Sequence, residues 1–180
     1  MITAVVYTSN TGETEKYARC FAEKVNLPCM DLKHADTLDK GTEIIYFGWI
    51  FADTVQGYDN AEKKYVIPCV CGVGISASGT KHEEVRKAIG IPESVQLFTL
   101  QGGLHMEKLR GMHRLILSVV RKSSIRKLEE KQRNPQEEDD LDLWRNGGSR
   151  FDETALDPVI RWYRESGQIR GGRAPHILYL

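Results

Sequence analysis

No apolar run in this 180-residue chain is long enough to cross a bilayer as a helix, and no basic segment leads into a signal-type apolar core at its start. A cytoplasmic location is therefore the expectation. Charge of a single sign is missing too: 25 Lys and Arg balance 25 Asp and Glu, which removes the net attraction a nucleic-acid binder would show. The basic side chains crowd into one stretch beside an acidic run, with no interleaved aromatics, so nucleic acid is not an expected partner. Cysteine is sparse. Cys20, Cys29, Cys69 and Cys71 fall inside helix-like or strand-like segments, and the last two, two apart on one strand, face the same side and are poorly placed to bond each other. Reduced thiols and no metal site are expected, since no matching His or Cys cluster accompanies them. Nucleotide motifs are missing as well: no G-K-S/T ends the first glycine turn, and no G-x-G-x-x-G occupies it. Ser9 and Ser76 stand where a phosphatase or receiver domain would need acidic residues.

What is present begins at the N-terminus. Residues 4–7 are apolar and β-branched or aromatic, as in a buried strand, and residues 13–25 repeat Tyr17, Ala18, Phe21, Ala22 and Val25 along one helical face. The turn between them joins the carboxyl end of a strand to the amino end of a helix. Unpaired N–H groups and the helix dipole favour an anion there. Ser9, Thr11 and Thr14 add hydroxyls, and Gly12 allows close backbone approach. This reads as a phosphate nest built without a lysine.

Further strands are expected at residues 28–32, 44–51, 66–73 and 95–100, with a helix over 80–89 whose Val85, Ala88 and Ile89 face inward. Strands alternating with helices imply a single α/β domain, residues 1–180, around a five-stranded parallel sheet. Ligands of such sheets bind beyond the strands' carboxyl ends, at the switch point. That gathers the turn after the first strand, the loop after Gly48 and the loop after Gly72. The connection 53–65 is short for a crossover helix and carries Gly57, so a single turn is expected.

The run Ser9-Asn10-Thr11-Gly12-Glu13-Thr14 resembles the flavodoxin phosphate loop, T/S-x-T-G-x-T, which holds the terminal phosphate of FMN. The resemblance implies a flavodoxin-like three-layer sandwich with strand order 2-1-3-4-5 and FMN as cofactor. It puts Ser9, Asn10, Thr11, Gly12, Glu13 and Thr14 around the phosphate and Trp49, Ile50 and Phe51 at one face of the isoalloxazine. Trp49 or Phe51 would stack on the ring, or both would be core. Gly72, Val73, Gly74 and Ser76 would bring main chain to the flavin's polar edge, and Asp53 is the candidate for a negative charge near N1. The second stacking aromatic that many flavodoxins place after the fourth strand is missing. Tyr58 would fold over the flavin or pack.

Residues 105–150 depart from the plain family pattern. After Gln101-Gly102-Gly103-Leu104-His105, a helix is expected over 106–132, with Leu109, Met112, His113, Ile116, Val119 and Val120 on one face. Lys108, Arg110, Arg114, Arg121, Lys122, Arg126, Lys127 and Arg133 follow on others. The sign then reverses over Glu137 to Asp142, and a last helix is expected over 154–166. This turn and insertion resemble the flavodoxin-like branch that includes menaquinone-dependent protoporphyrinogen oxidases. That resemblance implies an FMN-dependent oxidation of a porphyrinogen, with a quinone or another redox partner as acceptor. On physical grounds the basic stretch suits an anionic membrane surface, the propionates of a tetrapyrrole, or an acidic redox protein. As an ordinary segment, its apolar stripe would cover the sheet and its cations would pair with the acidic run. His105 and His113 read as ordinary helix or surface residues. The competing functional reading is a flavodoxin-shaped interaction or regulatory module that no longer uses FMN.

Overall fold

A computed structural model describes residues 1–170. The chain runs β1 (Ala4–Thr8), α1 (Glu13–Val25), β2 (Cys29–Asp31), β3 (Glu43–Phe51), β4 (Thr54–Val55), α2 (Tyr58–Glu62), β5 (Val66–Gly74), α3 (His82–Ile89) and β6 (Gln96–Gln101). The five main strands are parallel in the order β2-β1-β3-β5-β6, while β4 only folds back on the end of β3. Counted without that hairpin, this is the 2-1-3-4-5 order of the flavodoxin-like sandwich. Register is set by apolar partners such as Val5 opposite Ile45, and Ile45 opposite Cys69.

Alternate residues serve opposite faces. Val5, Tyr7, Ile45, Phe47, Cys69 and Cys71 pack with Tyr17 and Phe21 of α1. Ala4, Val6, Ile44, Tyr46 and Val70 pack with Tyr58 and Ala61 of α2 and Val85 of α3. With both faces covered, the strands need apolar residues throughout. All four cysteines are free, and burial pushes the Cys69 thiol up. Among the described residues no group of His, Cys, Asp and Glu is arranged to hold a metal ion.

Several boundaries differ from the sequence reading. The crossover α2 is a single short helix, as expected. Helix α3 starts at His82 because Lys81 adopts a left-handed φ of 63°, and Ala88 is exposed rather than inward. A short 3₁₀ turn, Glu153–Leu156, precedes the last helix, α6 (Asp157–Arg170), which lays Val159 and Ile160 on the α1 face. Whether Ala174–Leu180 adds a strand lies outside the described residues.

The insertion is a closed unit. Its base is a two-residue antiparallel pair, β7 (Gly103–Leu104) with β8 (Gly148–Ser149). Between them lie α4 (Gly111–Glu129) and α5 (Pro135–Asn146). Helix α4 is shorter than the expected 106–132 because Arg110 is extended and Gly111 takes a φ of 55°. The acidic run is helical, started by an Asn134–Glu137 capping box with Pro135 at the first position. Ion pairs Lys131–Glu137 and Arg133–Glu138 join the end of the basic stretch to the acidic run, as expected, whereas Arg145–Glu129 links the two helices with the signs reversed and Asp139 and Asp142 pair with Arg150. The apolar stripe of α4 does not cover the sheet. No α4 side chain is buried, because both sheet faces are already occupied and the insertion stands over the strand ends. No helix among the described residues is long and apolar enough to cross a membrane.

Candidate functional site

The turn from β1 into α1 is shaped by its own side chains. Ser9 Oγ accepts the Gly12 N–H at 3.1 Å, so that hydroxyl supports the loop. Gly12 has a φ of 98°, and a Cβ there would meet nothing within 4 Å. Backbone conformation, not space, calls for glycine. No side chain caps the first turn of α1, leaving its leading N–H groups to another partner. Thr14 is 1 % exposed and borders a cavity, and its hydroxyl has no hydrogen-bond partner among the described residues. Among the described residues no buried side-chain nitrogen or oxygen lacks a partner, so the unbonded Thr14 hydroxyl opens to the cavity, where it is free to meet solvent or a ligand.

The cavity, ≈ 290 Å³, sits at the carboxyl ends of β1, β3 and β5, at the lower end of the usual range for small-molecule sites. Asn10, Thr11, Glu13 and Thr14 form one wall; Trp49, Ile50 and Phe51 form another; Val73, Gly74 and Ser76 form a third. Ser9, Gly12 and Gly72 are outside the lining. Gly72 lies close under Ile50 instead: a Cβ there would come within 2.8 Å of Ile50 Cδ1, so that side chain would have to shift. Asp53 reaches the rim from the β3–β4 turn, where Ala52 and Asp53 both have left-handed φ values, 49° and 57°. Tyr58 packs into the core beside Tyr46 and takes no part.

The roof comes from the insertion and was not foreseen. Leu104, Leu109, Ile116, Leu117, Val120 and Trp144 close the cavity from above. The His113 ring stands edge-on to Trp49 at 5.2 Å and to Phe51 at 4.9 Å. His105 also lines the cavity. Its Nε2 hydrogen-bonds Glu13 Oε1 at 2.8 Å, and its Nδ1 lies 3.3 Å from Glu107 Oε1. Glu13 further accepts from Lys16 Nζ and Ser149 Oγ, each at 2.7 Å. Burial pushes the Glu13 carboxyl up, but those bonds outweigh it and hold the group below the usual carboxylate range. Lys108 Nζ donates to Thr11 O at 3.2 Å, so a cation does attend the loop, supplied from far along the chain. Only the density of cations in the insertion hinted at it; no local motif marked either histidine.

Fold and cavity together define a doubly wound α/β protein of flavodoxin-like topology, with its cavity at the switch point beside the β1–α1 turn. The chain matches no protein-family model and no curated protein. Among solved structures it is similar to one described as a "Putative flavoprotein from Bacteroides uniformis", at 13 % identity and a TM-score of 0.37, over 56 % of this chain and 88 % of that one.

Proposed function

We propose that the cavity holds FMN non-covalently and that the chain is a redox flavoprotein. The observation that carries this reading is the uncapped start of α1 with Thr11 and Thr14 in the wall of a cavity, the Thr14 hydroxyl unbonded within the protein and open to it, and two aromatic rings in the same lining. Thr11, Thr14 and the first N–H groups of α1 would hold the phosphate, with Lys108 adding positive charge. Trp49 or Phe51 would stack on the ring system, and main chain at Gly74 to Ser76 would face its polar edge. When bound, FMN supplies one- and two-electron transfer; the protein orients it and keeps water away. The apolar roof of Ile116, Leu117, Val120 and Trp144 favours a planar apolar partner, of the quinone or tetrapyrrole kind that the resemblance implies.

An absorption spectrum of the purified protein is the test. A flavin spectrum with fluorescence recovered on denaturation supports the reading, and colourless protein that takes up no added FMN ends it. Turnover of protoporphyrinogen with a quinone marks an enzyme; electron exchange with reductases alone marks a carrier. One contact favours the competing reading of an interaction module without cofactor: His113 already packs against both aromatic rings. Under that reading the Thr11→Val/Thr14→Val double change leaves cofactor content and activity untouched.

A further inference from the structure

Seven large apolar side chains are exposed among the described residues, and five of them, Met112, Leu115, Ile116, Val119 and Val120, belong to α4. Scattered exposure needs no explanation, but concentration on a single helix does. Met112, Leu115, Ile116 and Val119 follow the spacing that lines up side chains on one face, with Leu115 64 % and Val119 70 % exposed. One turn further on, the same outward face carries exposed Lys122, Arg126 and Lys127. No carboxylate occurs between Arg110 and Lys127. Arg126 meets Glu130 at 3.6 Å, whereas Lys122 and Lys127 form no ion pair among the described residues.

We propose that this outward face of α4 is an interfacial anchor that seats the protein on an anionic lipid surface. An apolar patch bordered by three cations, two of them unpaired, complements such a surface in both respects: the side chains enter the acyl boundary while Lys and Arg meet acidic headgroups. A second copy of the chain fits less well, because two such faces together would oppose cation to cation. The patch also merges with the site. Ile116 and Val120, about two-fifths exposed, line the cavity as well, so an apolar path leads from the lipid-facing surface to the ring space. The anchor does not depend on flavin being present.

Vesicle co-sedimentation of the full-length chain tests it, with phosphatidylcholine alone and phosphatidylcholine mixed with phosphatidylglycerol. Binding is expected with the anionic vesicles only, weakening as salt is added. Leu115→Gln/Val119→Gln should lower the partition constant about tenfold or more. Lys122→Gln/Arg126→Gln/Lys127→Gln should lower it by about fivefold per cation. All these positions are exposed, and circular dichroism of each variant verifies that it folds. Failure of the wild type to bind anionic vesicles overturns the proposal, as does equal binding to neutral ones or wild-type binding by either variant. Light scattering that finds a dimer dissolved by Leu115→Gln/Val119→Gln would assign the face to a second copy and overturn it too.

Discussion

Nε2 of His105 lies 2.8 Å from Oε1 of Glu13, joining the start of the insertion to the first residue of α1. Ser149, at the insertion's far end, binds the other oxygen of the same carboxylate. One buried carboxylate therefore closes the insertion at both ends and fixes it over the β1–α1 turn. A carboxylate 4 % exposed is tolerated only when its oxygens are hydrogen-bonded, and Lys16 completes the set.

Glu13→Gln should therefore destabilise the fold by about 1–3 kcal/mol at neutral pH, read by urea denaturation. The pH dependence has a definite sign. The folded-state pKa of Glu13 is lowered from 4.5, so its contribution is complete above that value and is lost as pH falls through the folded pKa. The stability gap between wild type and Glu13→Gln should shrink in that acid window. A gap independent of pH would show that the charge contributes nothing.

Thr14→Val removes a hydroxyl while keeping shape, at a position where that hydroxyl binds nothing in the protein. Thermal stability without cofactor should be unchanged or slightly higher. FMN affinity, measured by fluorescence quenching, should fall at least about tenfold, the worth of one hydrogen bond to a charged group. Equal affinity in wild type and variant would count against phosphate binding at this turn.

Lys108 sits at Thr11 O, near where the phosphate would lie, but it is exposed and so screened. Lys108→Met should weaken FMN binding by only about two- to fivefold at low salt, with the difference fading as salt rises. Riboflavin, which carries no phosphate, should bind both proteins alike. A parallel loss of riboflavin affinity would mean that Lys108 supports the insertion rather than the anion.

These contacts show where sequence reading works. The strands were legible because residues 44–51 and 66–73 are apolar runs, and the β1–α1 turn because its Ser, Thr and Gly residues are adjacent in the chain. The roof was not, because His113 meets Trp49 only after the whole sheet has formed. Met112, Ile116 and Val119 show a different limit. Their spacing is that of a helix with one apolar face, and periodicity does not say what lies opposite that face. The sheet had no side left to offer it.

The β3–β4 turn yields a last expectation. Ile50 pairs with Val55 and Phe51 with Thr54, leaving Ala52 and Asp53 as a two-residue hairpin loop with φ values of 49° and 57°. Such loops favour Asn-Gly or Asp-Gly because both central residues must be left-handed. Asp tolerates that conformation by local hydrogen bonding, whereas the Cβ of Ala52 carries a cost of about 1 kcal/mol. Ala52→Gly relieves the clash but makes the unfolded chain freer, which offsets part of the gain. The net expectation is a small rise in stability, below about 1 kcal/mol, read as a higher thermal midpoint. Because Ala52 lines the cavity beside Asp53, the same variant also reports on the strain's use. Stability that rises while FMN affinity holds means the turn is merely tolerated; stability that rises while affinity drops means the strained turn preorganises the rim.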